Sequence, residues 1–187
     1  MKKLLVVITM VFMMAIAVNA SAVVLDFEDL SGYGFMPDPY QGVIDWEDGV
    51  WAYYDSFSPP YNPSSGVSAA FVFEDYDDTP SWDFLTPVIY DGSFFSGYSG
   101  GTVQMDLYYS NVLVHSTGIL APSSAPAFLA TGYSGFVDRV VINNPDPTDW
   151  AMDDITYNST QAPEPMTIIL LGSGMAGLAL LRRMRNK

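Results

Sequence analysis

The chain has 187 residues, no cysteine and a formal net charge of −14. The missing cysteines exclude disulfides and thiol chemistry. Between Val23 and Gln161, Arg139 is the only basic residue among twenty carboxylates, which gives this central part a net formal charge of −19. Such a domain repels nucleic acid, and its acidity either attracts divalent cations such as Ca²⁺ or keeps the protein soluble.

The N-terminus has the pattern of a secretory signal peptide. Lys2 and Lys3 precede an apolar run over residues 4–18, which small residues at Ala20 and Ala22 follow. This order of basic, apolar and small residues predicts a signal peptide over residues 1–22, cleaved by signal peptidase. The mature domain is therefore expected to be exported.

The central segment, residues 23–161, reads as one all-β domain. Aromatic and β-branched stretches alternate with Gly, Pro, Ser and Asp, and no long stretch keeps a helical period. Strands at this spacing predict a single β-sandwich, and specifically a jelly roll. The predicted strands are Val23–Phe27, Val50–Tyr54, Ala69–Phe73, Pro87–Tyr90, Thr102–Tyr109, Val112–Thr117, Phe136–Asn143 and Trp150–Tyr157.

Two of these strands form the clearest hairpin. Only Ser110 and Asn111 separate Thr102–Tyr109 from Val112–Thr117, and a two-residue connection suits a tight turn. Breaks are predicted elsewhere at Gly- and Pro-rich positions, including Asp91-Gly92.

Aromatic residues are dense near the start of the domain, with nine rings from Tyr33 to Tyr61. Rings beside polar side chains can stack on the apolar faces of sugars. The predicted carbohydrate-binding residues are Trp46, Trp51 and Tyr53, with Asp45 and Asp55 as hydroxyl partners. Because Trp51 and Tyr53 share one side of a strand, they form either a platform for sugar or a stripe of the core.

Carboxylates mark both ends of the domain. It opens on Leu25-Asp26-Phe27-Glu28 and closes on Trp150-Ala151-Met152-Asp153-Asp154-Ile155. Asp26 and Glu28 share a strand face, whereas one of Asp153 and Asp154 must face the core, where a cation, Arg139 or backbone N–H groups would have to satisfy it.

These two strings resemble those of galactose-binding-like and carbohydrate-binding-module jelly rolls. The resemblance implies that the first and last strands are neighbours and share a structural Ca²⁺, with Asp26, Glu28, Asp153 and Asp154 as its ligands. The alternative is that all four are solvated or cap turns. Asp75, Asp77 and Asp78 are interpreted as a solvated loop.

Catalysis finds little support. His115 is the only histidine, and no Gly-x-Ser-x-Gly elbow is present. The protein is therefore predicted not to be an enzyme, with a small hydrolase as the remaining alternative.

The C-terminal tail has three parts. Pro163-Glu164-Pro165 is followed by an uncharged run over residues 166–181 and then by Arg182, Arg183 and Arg185. As a helix, the 17 residues from Pro165 to Leu181 would extend about 26 Å, slightly short of a hydrocarbon core of about 30 Å. The arginines act as a membrane stop that places everything upstream outside.

This tail resembles the PEP-CTERM sorting signal, which exosortases recognise. The resemblance implies a sorting and anchor segment over residues 162–187, a short C-terminal transmembrane helix before processing, and delivery to the cell surface or extracellular matrix. It further implies an association with extracellular polysaccharide and biofilm. A non-catalytic polysaccharide-binding protein is the first hypothesis, and a purely structural acidic matrix protein with Ca²⁺-dependent association is the alternative.

Overall fold

In a computed structural model that describes residues 22–73, 79–143 and 149–159, eleven β-strands form one hydrogen-bonded network. All pairings between these strands are antiparallel. The strands are β1 (Ala22–Leu25), β2 (Tyr33–Phe35), β3 (Ile44–Trp46), β4 (Trp51–Tyr54), β5 (Ala69–Val72), β6 (Ser81–Gly97), β7 (Gln104–Tyr109), β8 (Val112–Ser116), β9 (Ala127–Ala130), β10 (Val137–Asn143) and β11 (Trp150–Ser159).

The order of strands follows one path with three branches. The path is β2-β4-β5-β11-β6-β10-β7-β8, while β1 pairs with β11 and both β3 and β9 pair with β6. The 17 residues of β6 form one long strand that pairs with β3 and β10 through its first half and with β9 and β11 through its second half, an arrangement consistent with a β-sandwich.

The all-β class is confirmed, and so is the pairing of the first strand with the last. Leu25 lies opposite Ile155 in the β1–β11 ladder. The β7–β8 hairpin also forms at Ser110 and Asn111, whose φ angles of 51° and 62° are those of a tight turn with two left-handed residues. The jelly-roll topology stays a prediction.

The break predicted at Asp91-Gly92 is wrong, because β6 continues through it. Gly92 lies opposite Ala130 of β9, and a Cβ placed on it would clash with the carbonyl oxygen of Leu129. The glycine therefore allows close approach of a neighbouring strand rather than a turn. The sequence also failed to indicate β2, β3 and β9.

The core is built around tryptophan. Trp46, Trp51, Trp82 and Trp150 are all at most 4% exposed, and Trp51 touches each of the other three at centroid distances of 5.0–6.0 Å. Its indole N–H also donates to the Ser81 carbonyl at 2.8 Å. Trp51 therefore links β3, β4, β6 and β11 through a single side chain.

Several predictions lie outside the described residues. These are the signal peptide apart from Ala22, the whole segment 162–187 with its membrane run 166–181, and the acidic run Asp75, Asp77 and Asp78. Among the residues that are described, none belongs to a helix long and apolar enough to cross a membrane.

Candidate functional site: an aromatic cleft on the β2–β4–β5 sheet

The strands β2, β4 and β5 place aromatic rings on their outer side. Successive side chains of a strand point to opposite sides of the sheet. Trp51 and Val72 point to the inner side, against the core, and the residues next to them in sequence point to the outer side. We call this outer side the aromatic face; its rings are Tyr33, Phe35, Tyr54, Phe71 and Phe73. Tyr33 and Phe35 are 58% and 57% exposed, so the face remains open to solvent.

Small residues let the rings lie close to the sheet. Ala52 and Ala69 belong to the same outer side yet have no exposed surface, so the neighbouring rings cover them completely. Tyr33 contacts Tyr54 and Phe71 at centroid distances of 6.3 and 6.1 Å. The rings therefore pack against one another across three strands.

The loop of residues 55–68 returns over this face and forms a cleft with it. Phe57 lies at the junction, with ring centroids 5.4 Å from Tyr54, 5.7 Å from Phe71 and 6.2 Å from Tyr61. The cleft has a volume of about 520 Å³, within the range of about 300–1,000 Å³ usual for ligand sites. We call it the aromatic cleft; its lining is Tyr33, Tyr54, Ser56, Phe57, Ser58, Pro59, Tyr61 and Phe71, together with the core residues Val72 and Trp150, which are only 2% and 1% exposed.

The carbohydrate platform predicted from Trp46, Trp51 and Tyr53 is wrong in its two tryptophans. Trp46 and Trp51 are 4% and 1% exposed, so neither can offer a ring face to a sugar. Tyr53 is partly buried and packs against the same core. Trp51 and Tyr53 do share one side of β4, but that side is a stripe of the core, as the alternative interpretation held.

The two acidic hydroxyl partners lie in different settings. Asp45 is on β3 opposite Asp83, and the largest cause that raises its pKa is a hydrogen bond that its protonated carboxyl donates to the carboxylate of Asp38. Asp55 instead follows Tyr54 at the aromatic cleft, where Gly32 N–H donates to its Oδ2 at 2.6 Å and Ser56 Oγ donates to its Oδ1 at 3.0 Å. These bonds, the first above all, lower the pKa of Asp55 and keep it ionised.

Asp153 and Asp154, predicted as metal ligands, anchor the loop that carries Phe57. The backbone N–H groups of Ser64 and Ser65 donate to Asp153 Oδ2 at 2.8 and 3.0 Å. The hydroxyls of the same two serines donate to the carboxylate of Asp154. Of the three ways that were open for satisfying a buried carboxylate here, backbone N–H groups are the one the structure uses.

One of Asp153 and Asp154 does face the core, as expected, since Asp153 is only 2% exposed. The two side chains do not lie on opposite sides of the strand, however, because both carboxylates lie within hydrogen-bonding distance of the Ser64 hydroxyl. Asp154 has a φ of 52°, and the β11–β6 register shifts just after Asp153. A left-handed residue within a bulge breaks the alternation of side chains, so both carboxylates reach one loop.

Glu28 extends the same anchorage to the end of the loop. Its Oε1 accepts the N–H groups of Val67 and Ser68 at 2.9 and 2.8 Å. Asp26 lies beyond β1, which ends at Leu25, and its Oδ1 accepts the N–H of Glu28 at 3.3 Å. Asp26 therefore stabilises a turn, and Glu28 stabilises the loop. The strand face that was expected to align them for a cation ends at Leu25, before either residue.

No group of three or more acidic or histidine side chains in the described ranges is arranged to hold a metal ion. Arg139 is not a partner of Asp153 either, because it forms two hydrogen bonds with Asp83, at 2.6 and 2.7 Å. His115 stacks on Tyr133 with centroids 5.5 Å apart. The calcium site remains a prediction without a ligand set in this part of the chain.

Burial raises the pKa of Asp153 to about 6, against the lowering effect of the Ser65 hydrogen bond and with a further increase from the charge of Asp154. Because the pKa in the folded state lies above the ordinary value of 3.8, this carboxyl adds most to stability below about pH 4. That contribution is lost as the pH rises through about 6. Below about pH 4, where it is fully present, this contribution to the free energy of unfolding is about 3 kcal/mol.

We therefore expect Asp153→Asn, which cannot titrate, to flatten the pH dependence of unfolding. Between pH 4 and pH 7 the wild type should lose up to about 3 kcal/mol of stability relative to the variant, because all other carboxylates titrate in both proteins. Urea unfolding of both proteins at several pH values measures this difference. Parallel curves for the two would contradict the assignment.

No protein-family model and no curated protein matches the chain. Among solved structures, the complex of TmCBM61 with β-1,4-galactotriose is similar over 73% of this chain and 94% of that chain, at 13% identity and a TM-score of 0.39. At that score the likeness carries no argument about ligand or mechanism, so the following proposals rest on the residues of this chain.

Proposed function

We propose that this protein binds polysaccharide, without catalysis, through the aromatic cleft. The observation that carries the proposal is an open cleft whose walls are the rings of Tyr33, Tyr54, Phe57 and Phe71. Such rings offer flat apolar faces to the apolar faces of sugar rings, while polar groups at the edges take hydroxyls. The exposed hydroxyl side chains of Ser56 and Ser58 lie in the same lining.

The exposed rings of the aromatic face form an apolar surface on a domain that is otherwise rich in carboxylates. Contiguous apolar surface on a soluble protein usually marks a binding site. The aromatic face lies on a sheet whose edge strand is β2, next to a loop held by Asp153, Asp154 and Glu28. Anchoring the loop from three carboxylates keeps Phe57 in place before any ligand arrives, which lowers the entropic cost of binding.

Binding of the full 187-residue chain to a panel of polysaccharides tests the proposal. We expect saturable binding to at least one member of the panel. If none binds saturably, the cleft does not have this role, and the structural-protein alternative takes its place.

We further propose that the chain is exported and sorted by an exosortase through its tail. The support is the sequence itself: the N-terminal basic and apolar pattern, and Pro163-Glu164-Pro165 before an uncharged run and three arginines. Polysaccharide outside the cell would then be accessible to the cleft.

Replacing Glu164 or Pro165 with alanine is expected to prevent processing and to leave full-length protein in the membrane of a host with an exosortase. Comparison of membrane and released fractions by immunoblot measures this. Equal release of the wild type and both variants would rule out this sorting route.

A further inference from the structure

The charge around the aromatic cleft bears on the chemical class of its ligand, an inference that rests on the proposed function. Asp55 directly follows Tyr54, and its carboxylate is held at that position by Gly32 and Ser56. The pKa of Asp55 is lowered, so the group is negative at neutral pH. A uronate, sulfate or phosphate on a glycan would meet this charge within the field of a domain with a net charge of −19.

No cation in the described residues offsets that field at the cleft. Arg139 is the only basic residue between Val23 and Gln161. It is on β10, outside the lining of the cleft, and its guanidinium already forms two hydrogen bonds with Asp83. Recognition of anionic groups in proteins normally uses arginine or lysine, and none is available here.

A bridging divalent cation would be the other way to hold an anionic glycan. In the described ranges, no set of three acidic or histidine side chains is arranged for one. Asp55 Oδ1 and Oδ2 each already accept a hydrogen bond, as do the carboxylates of Glu28, Asp153 and Asp154 that anchor the loop. Asp55, between the lining residues Tyr54 and Ser56, and the three carboxylates that anchor the loop therefore accept hydrogen bonds from the protein's own backbone and hydroxyl groups.

We propose that the cleft takes an uncharged polysaccharide, bound by ring stacking and hydroxyl hydrogen bonds with no need for a cation. Two consequences follow from this chemistry. Affinity should depend little on ionic strength, since no charge pair is formed on binding. It should also be unaffected by a chelator, because no metal bridges protein and glycan.

The test titrates the full chain with two sets of polymers. The neutral set is β-glucan, galactan, mannan, xylan and amylose; the anionic set is alginate and polygalacturonate. Each titration is run at 20 and 500 mM NaCl, with Ca²⁺ or with EDTA, and is repeated with Tyr54→Ala to confirm that binding occurs in the cleft. We expect binding only in the neutral set, with a dissociation constant that changes less than about twofold with salt or chelator.

Two results would overturn the inference, and they differ in meaning. Binding of alginate or polygalacturonate that Tyr54→Ala abolishes would contradict the uncharged class while it leaves polysaccharide binding intact. A loss of neutral-glycan affinity of tenfold or more on adding salt or chelator would contradict binding without a charge pair or a cation, and it too would leave polysaccharide binding intact. The absence of binding to every polymer would instead remove the proposed function and this inference with it.

Discussion

Replacing Trp51 with alanine is expected to destabilise the domain by about 3–5 kcal/mol, the usual cost of truncating a buried tryptophan. Trp51 is 1% exposed and contacts Trp46, Trp82 and Trp150. Its removal leaves a cavity among them and takes the hydrogen-bond donor from the Ser81 carbonyl. Since domains of this size are usually stable by only about 5–15 kcal/mol, much of the variant should unfold in mild denaturant.

Urea unfolding followed by circular dichroism measures this loss. Trp51→Phe should cost less, because a ring still fills part of the space. Tyr109→Ala, at a residue 39% exposed on β7, should change stability by about 0.5 kcal/mol or less. A loss below about 1 kcal/mol for Trp51→Ala would show that this residue does not hold the core together.

Replacing both Tyr54 and Phe57 with alanine is expected to weaken polysaccharide binding at least about 100-fold. Each ring at the centre of a binding surface contributes about 1.4 kcal/mol or more, which is a factor of ten in affinity. The centroids of these two rings are 5.4 Å apart, and both rings line the cleft, one from β4 and one from the loop. Isothermal titration of the full chain with a bound glycan measures the loss.

A matched control exists on the other edge of the sheet. Tyr109 and Phe136 also form an exposed ring pair, 39% and 41% exposed with centroids 6.0 Å apart, but neither lines the cleft. Replacing both with alanine should leave affinity within about twofold of the wild type. Equal losses in the two double variants would mean that binding follows overall surface hydrophobicity rather than the cleft.

Much of the strand content could be predicted because alternation is a strong signal in long strands. Each of the eight predicted strands overlaps an observed strand, and the buried positions Val103, Met105 and Leu107 follow the alternation expected for the hairpin. The strands β2, β3 and β9 have three or four residues each, which is too short for alternation to stand out. Sequence alone also cannot reveal that Gly92 serves a close approach of β9.

The carbohydrate site predicted from the sequence lies in the same segment as the aromatic cleft but on the other side of the sheet. Alternation along Trp51–Tyr54 places Trp51 and Tyr53 on one side of β4 and Ala52 and Tyr54 on the other. The large ring of the tryptophan made the first side the predicted sugar platform. That side is the core. The small Ala52 belongs to the side on which rings from β2, β5 and the loop lie, a fact that depends on pairing and loop return rather than on local sequence.

The acidic residues show a similar limit. Their distribution suggested a cation, because a buried carboxylate needs a partner. Nothing in the local sequence indicated that Ser64 and Ser65 would supply it from about ninety residues away, or that Asp154 would adopt a left-handed conformation.

Hydroxyl-radical footprinting of the full chain, with and without a saturating glycan, tests the central claim most directly, because it reports on individual rings. The account predicts protection of Tyr33, Tyr54 and Phe57 by the glycan, with Tyr109 and Phe136 unchanged. Protection at Tyr109 and Phe136 without protection at the cleft would contradict the account and place the glycan on the opposite edge of the sheet.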